Sequence, residues 1–273
     1  MLSPLGVFDF DGTAFDTFAP PPGGIGVKEA YELAVEELFG VRGLQFYRDA
    51  GGLQNRSPRE VVTDIVMRYG EGREGLFTHL LHFLRDNGGR MRAFTTTKKL
   101  ESSFTRATVY PIVAEMLVCL KLERLMNQIG TPMEDGALWP PPVFGFIEYW
   151  RKIVSMQGMR TLIISSGHEG FITKVFKLYD LPLPDTMVTD DDTRHLSIPM
   201  SKPDEGLVSL GLNRLSIDPS DLEIALFGDD PNKDGKLASN AGVPFYLVDP
   251  SGKYLGHPRR FKDWTEVPWP KLD

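Results

Sequence analysis

Apolar residues follow two patterns along this chain. From about residue 27 to residue 156 they recur at helical spacing, and from about residue 161 short apolar runs alternate with amphipathic stretches. Val27 to Phe39 carries apolar side chains at 27, 30, 31, 34, 35, 38 and 39, a stripe that predicts a helix stopped by Gly40. A second helix starts with Ser57 as N-cap, Pro58 at its first position and Glu60 closing a capping box, and runs to about Tyr69. Leu76 to Arg85 reads as a third, ended by Gly88-Gly89, and residues 90–110, rich in Thr, Ser and Lys, are ambiguous. Tyr110-Pro111 opens a longer helix to about Ile129, and Val143 to Met156 is one more, ended by Gly158.

The second pattern gives a strand at Thr161–Ser165, a helix at Phe171–Tyr179, a strand at Thr186–Thr189 and a helix at Pro203–Leu210. A strand at Ile224–Phe227, a short helix at Gly235–Asn240 and a last strand at Phe245–Val248 complete it, with Leu5–Phe8 as the first strand of the chain. Strands alternating with helices imply an α/β fold with a parallel sheet wound by right-handed crossovers. Pro20-Pro21-Pro22-Gly23-Gly24 and Trp139-Pro140-Pro141-Pro142 are strong breaks. They divide the chain into an α/β core, residues 1–18 plus 139–273, and a mostly helical insertion, residues 19–138. At about 120 residues that insertion exceeds the roughly 60–80 that four helices with short loops require. The excess falls around residues 88–110.

Acids and hydroxyls stand where the apolar runs end. The first strand leads into Asp9-Phe10-Asp11-Gly12-Thr13. Ligands in open α/β sheets bind outside the carboxyl edge of the strands, and two carboxylates at i and i+2 can reach one site. With a turn at Gly12 they can sit there differently, one as nucleophile and the other as proton donor and acceptor. A solvated strand end with an Asp-Gly turn would carry the same residues. Ser165-Ser166-Gly167 offers a hydroxyl and backbone N–H groups before a helix, a ready phosphate clamp, although an ordinary βα loop with a serine cap reads the same way. Lys202, in Ser201-Lys202-Pro203-Asp204 at a helix start, could offset the charge of a phosphoryl group, or be a surface lysine. The strand Ile224–Phe227 ends in Gly228-Asp229-Asp230-Pro231-Asn232-Lys233-Asp234-Gly235, whose carboxylates suit Mg²⁺. The run from Asp230 also matches the opening of an EF-hand, but its twelfth position is Ala241 and a strand, not a helix, precedes it.

In this order and at these places, the four segments resemble the motifs of the haloacid dehalogenase superfamily, in its phosphatase branch. The resemblance implies a Rossmann-like core with an inserted helical cap, and a Mg²⁺-dependent phosphomonoester hydrolase acting through an aspartyl phosphate. Asp9 would attack phosphorus and Asp11 would be general acid and base; members that cleave carbon–halogen bonds lack this second acid. Ser165 and Lys202 match the second and third motifs. Asp229, with Asp9 and the Asp11 backbone carbonyl, would ligate Mg²⁺, and Thr13, Gly167, Asp230 and Asp234 would support the site. In the cap, Gly51-Gly52-Leu53-Gln54-Asn55-Arg56-Ser57 looks like the substrate loop of phosphoglycolate phosphatases and β-phosphoglucomutases, which makes Asn55 and Arg56 candidates for reading the leaving group. A polar surface loop fits them equally. A sugar-phosphate mutase on the same core, and a non-catalytic binding protein of this fold, are the alternatives.

Composition narrows the setting. A net charge of −7 argues against nucleic-acid binding by phosphate neutralisation and does not exclude a small anionic substrate; the resemblance implies a small phosphorylated metabolite as the partner. A single cysteine, Cys119 in an apolar run, excludes an intrachain disulfide and suits a reducing compartment. The first strand begins within a few residues, with no room for a signal peptide, and no segment reaches the roughly 20 apolar residues of a membrane span, so the expected location is cytoplasmic. His79 and His82 read as structural, His168 as a helix-start or site-lining residue, and Asp190-Asp191-Asp192 as a solvated loop.

Overall fold

The computed structural model describes residues 2–52, 56–94, 106–193 and 200–270. It divides into two compact units, Met1–Pro22 with Ile129–Asp273, and Gly23–Gln128. No helix among the described residues is long and apolar enough to cross a membrane.

In the first unit six parallel strands form one sheet in the order β3-β2-β1-β4-β5-β6. They are β1 (Ser3–Phe8), β2 (Arg160–Ile164), β3 (Thr186–Val188), β4 (Leu222–Gly228), β5 (Phe245–Val248) and β6 (Arg260–Phe261). The two-residue β6 lies beyond Phe245–Val248, which is therefore not the last strand; it is too short to leave a periodic signal. β1 is central, and its register sets Phe8 opposite both Ile163 of β2 and Phe227 of β4. The three strands thus end level, and Asp9, Ser165 and Asp229 emerge at one edge.

Alternation along β1 divides its side chains between two different faces. Leu5 and Val7 join Leu162, Ile164, Val188 and Leu226 under Leu207, Val208 and Leu212 of helix α8 (Gly206–Leu215) and Leu237 of helix α9 (Lys236–Asn240). Phe8 faces the other way, stacked on Phe227 at 5.0 Å and met edge-on at 5.3 Å by Trp150 of helix α5 (Phe146–Val154). Trp264, from the segment after β6, completes this aromatic layer with Phe146, Tyr149 and Phe227. Gly6 leaves room for it: a Cβ there would fall 2.4 Å from the Phe8 ring.

The remaining core elements differ from expectation in instructive ways. Helix α6 (Glu169–Leu178) follows β2 as predicted. Asp190-Asp191-Asp192 is not a solvated loop but the start of a one-turn helix, α7 (Asp190–Thr193). Asp192 accepts from the Thr189 N–H at 2.8 Å and from Arg214 at 2.6 Å, and Asp191 accepts from the Glu169 N–H at 2.9 Å. Lys202-Pro203-Asp204 does not open a helix directly: it forms a turn, the Asp204 carboxylate takes the Gly206 N–H at 2.8 Å, and α8 continues to Leu215.

The described residues of the second unit form four α-helices, α1 (Val27–Asp49), α2 (Pro58–Arg68), α3 (Arg73–Phe94) and α4 (Arg106–Met126), with α4 packed against the other three. The predicted capping box at Ser57 and Glu60 is formed. Gly40, with φ of 67°, breaks the helical backbone as predicted, but the chain resumes a helix and buries Leu44 and Tyr47. Gly88-Gly89 does not end α3. Two glycines cost a helix roughly 1 kcal/mol each, and Arg90 beyond them offsets that by pairing with Glu37 and with Glu123. Long helices account for the large insertion: the ambiguous segment contributes the end of α3 and the start of α4, and residues 95–105 lie outside the described residues. Cys119 is buried in this unit's core, and His79 meets the Leu38 carbonyl at 3.1 Å.

The close contact at Gly6 gives a direct check on the aromatic layer. Gly6→Ala is expected to lower stability by about 1–3 kcal/mol, the usual cost of overpacking. Denaturant midpoints measure it, and an unchanged midpoint would show that the Phe8 ring is not confined.

Candidate active site

Asp9 follows β1, and its backbone N–H bonds the Phe227 carbonyl at 2.8 Å, which keeps it in line with the sheet. Asp9 is only 7% exposed. Its Oδ1 pairs with the Lys202 ammonium, and its Oδ2 accepts the Thr13 hydroxyl at 3.1 Å. The same ammonium donates to Asp234 Oδ1 at 2.7 Å, and Asp234 Oδ2 takes the Asp230 N–H at 3.2 Å. Gly228 makes this possible, because a Cβ there would lie 2.3 Å from the Asp234 Cβ. Asp230 starts the turn that carries Asp234 inward: its carboxylate accepts from the Asn232 N–H at 2.8 Å and its carbonyl from the Asp234 N–H at 2.8 Å.

Asp11 has different surroundings. After Phe10 the chain reverses sharply, Gly12 adopting φ of 75° and bonding the Phe15 carbonyl at 2.8 Å. This turns the half-buried Asp11 toward Thr17, whose hydroxyl donates to Oδ1 at 2.6 Å, and toward Ser165, whose hydroxyl lies 3.4 Å from Oδ2. Ser165 Oγ also accepts the Gly167 N–H at 2.9 Å. Asp229 stands beside the Asp11-Gly12 turn, since a Cβ on Gly12 would strike its Oδ2 at 2.5 Å. The core residues predicted from the sequence are therefore together at one sheet edge: Asp9, Lys202 and Asp234 in one group, and Asp11, Ser165 and Gly167 in another, with Asp229 next to both.

The cap candidates fare differently. Asn55 lies outside the described residues. Arg56 is held within its own unit, by the Gly52 carbonyl at 3.0 Å through Nε and by Asp64 at 3.2 Å. His168 is buried at the head of α6 with its Nδ1 3.0 Å from Asp191, so it serves that helix start. Thr17 was not foreseen. Nothing in a Phe-Asp-Thr-Phe stretch announces that the loop doubles back far enough for its hydroxyl to hold Asp11.

Electrostatics bear on what the site can hold. One oxygen from each of Asp9, Asp229 and Asp234 lies within 4.8 Å of the others, and Lys202 is the ammonium among them. Burial pushes the Asp9 carboxyl up, Asp234 and Asp11 push the same way, and Lys202 pulls against them. Burial would lower Lys202, but Asp9 and Asp234 outweigh it and keep the ammonium protonated. Burial also raises Asp229, from 3.8 to about 6, with Asp234 adding to it and Lys202 opposing. Three carboxylates facing one ammonium are short of positive charge, and their hard oxygens suit Mg²⁺, which takes one or two carboxylates plus waters and phosphate oxygens. Asp9 and Asp229 fit that role. Both oxygens of Asp234 are already engaged, by Lys202 and the Asp230 N–H, which suits a supporting place.

No family model and no curated protein sequence matches the chain. Solved structures do. The 2-haloacid dehalogenase from Pseudomonas syringae pv. Tomato DC3000 aligns with a TM-score of 0.50 at 16% identity, covering 96% of this chain and 95% of that one. CbbY from Rhodobacter sphaeroides, an aspartate-to-asparagine mutant in complex with xylulose-(1,5)bisphosphate, aligns with a TM-score of 0.50 at 15% identity, covering 98% and 96%. The chain has the haloacid dehalogenase fold.

A raised carboxylate is a stability statement. The folded chain binds the Asp229 proton more tightly than the unfolded chain, so without a cation its contribution to stability is greatest below 3.8 and declines as pH rises through about 6. A bound cation favours the ionised form and reverses this. Thermal midpoints measured in EDTA are expected to fall between about pH 4 and pH 7, and excess Mg²⁺ to raise the midpoint at pH 7 but barely at pH 4. No effect of Mg²⁺ at pH 7 would count against the cation site.

Proposed function

We propose that this chain is a Mg²⁺-dependent phosphomonoester hydrolase that acts on a small phosphorylated metabolite through an aspartyl-phosphate intermediate. The observation that carries the reading is the pairing of two differently placed aspartates: Asp9 buried against Lys202, and Asp11, two residues on, turned to Thr17 and Ser165. A nucleophilic carboxylate must be an anion aimed from one side. Lys202 and Thr13 hold it in place, and Lys202 pulls toward the anion against the burial that raises Asp9, a pull that a bound cation would add to. A general acid and base must exchange protons with solvent, and Asp11 is only half-buried.

In the proposed sequence Asp9 attacks phosphorus in line, a new P–O bond forms to its carboxylate, and the bond to the leaving oxygen breaks. Asp11 gives its proton to that oxygen. It then takes a proton from water, whose oxygen attacks phosphorus and releases inorganic phosphate and the free Asp9 carboxylate. Ser165 and Lys202 hold the phosphoryl oxygens, the Gly167 N–H keeps the Ser165 hydroxyl in place, and Asp234 does the same for Lys202. Mg²⁺, held by Asp9, Asp229 and the Asp11 carbonyl, would supply charge stabilisation for the transferring group. CbbY was determined with a sugar bisphosphate, in keeping with a small phosphorylated substrate. The leaving group is proposed to be read by the helical unit, where Arg56 would have to release Asp64 or Gly52 to reach it.

Asp9→Asn keeps the shape and removes the anion. Assayed across a panel of phosphorylated metabolites with Mg²⁺, it is expected to lose phosphate release on the order of 10⁴-fold or more, as loss of a nucleophile does elsewhere, while remaining folded. Release comparable to the unaltered chain would overturn the assignment.

A further inference from the structure

Thr13 and Trp264 are 251 residues apart in the chain, yet the Trp264 indole N–H donates to the Thr13 carbonyl at 2.8 Å. Both residues are buried, at 0% and 2% exposure, so water cannot take the place of that donor. The same Thr13 gives its hydroxyl to Asp9 Oδ2. We propose that Trp264 is a positioning residue for the nucleophile: through the Thr13 peptide it fixes the hydroxyl that orients the Asp9 carboxylate. The inference rests on the reading of Asp9 as the nucleophile.

The geometry supports a fixed donor rather than a ring that merely fills space. Tyr149, Phe146 and Phe227 surround the indole at centroid distances of 4.7, 5.3 and 5.5 Å, which leaves it no freedom to redirect its N–H. Its backbone N–H bonds the Phe144 carbonyl at 3.1 Å. The next residue, Thr265, presses against Gly145, where φ is 79° and a Cβ would lie 2.8 Å from the Thr265 methyl. Farther along, the Tyr149 hydroxyl donates to the Trp269 carbonyl at 2.7 Å. The segment after β6 is thus tied down on both sides of the indole.

At the receiving end, the Val143 N–H holds the Ala14 carbonyl at 3.0 Å while Trp264 holds that of Thr13. Two successive peptides of the loop are anchored by different parts of the chain. Without the indole, the Thr13 peptide would be buried with its carbonyl lacking this donor, and the loop would gain freedom to move the Thr13 hydroxyl away from Asp9. An error of a fraction of an ångström in a nucleophile reduces turnover more than binding.

The test compares Trp264→Phe with Trp269→Phe in the full chain with Mg²⁺. The first keeps an aromatic ring and removes the donor, and the second makes the same change in the same segment away from Thr13. Steady-state kinetics and hydrogen exchange of the Gly12, Ala14 and Phe15 amides are measured on both. Trp264→Phe is expected to lower kcat about tenfold with KM within about twofold, the effect of one lost buried hydrogen bond, and to speed exchange of the loop amides. Trp269→Phe is expected to change neither. Unchanged kcat and exchange in Trp264→Phe, or equal losses in both variants, would overturn the inference. If the unaltered chain releases no phosphate from any compound, the reading of Asp9 fails by itself. The exchange comparison then decides only whether the indole anchors the Thr13 loop, and unchanged loop exchange in Trp264→Phe overturns that anchor as well.

Discussion

A single buried ammonium, Lys202, lies between two carboxylates that could not be buried together without it. Taking Asp9 and Asp234 out of water is costly unless each is paired, and removal of the common partner would leave two uncompensated charges. The rest of the core serves this arrangement. β1 and β4 end level so that Asp9 and Asp229 emerge side by side, Gly228 admits Asp234, and the turn before α8 delivers Lys202 from the other side of the edge. Asp11, two residues on, is held by the hydroxyls of Thr17 and Ser165 instead. Two aspartates of identical chemistry are thereby held by different partners.

The parts of this fold that could be read from the sequence are those with strong local causes. The strand ends at Asp9, Ser165 and Asp229 were legible because buried parallel strands are continuous apolar runs, and their interruption by acids or hydroxyls is abrupt. The capping box at Ser57 was legible because its two hydrogen bonds are made within four residues. What failed were signals that tertiary contacts override. Gly88-Gly89 is a sound stop signal in isolation, yet α3 continues because Arg90 reaches Glu37 and Glu123 on other helices. Asp190-Asp191-Asp192 reads as solvated, yet its carboxylates cap α6 and hold Arg214, partners 22 or more residues away.

The same distinction holds within the site. Asp9, Asp11, Ser165, Lys202, Asp229 and Asp234 are spaced along the chain in a recurrent order, and a single sequence sufficed to nominate them. Thr17 and Trp264 carry no such pattern. One acts through a loop reversal, and the other through a contact spanning most of the chain, so each becomes visible only when the backbone is in place. Gly6 connects these levels: its missing side chain admits the Phe8 ring, and Phe8 belongs to the aromatic layer in which Trp264 is fixed.

In the proposed reaction Asp9 becomes covalently phosphorylated. Rapid quench of a turnover reaction into borohydride, which reduces an acyl phosphate to an alcohol, followed by peptide mass spectrometry, tests it most directly. Conversion of Asp9 to homoserine, only with substrate and Mg²⁺ present, is the expected result. Turnover with Asp9 unmodified, or conversion at Asp11, Asp229 or Asp234 instead, would contradict the account.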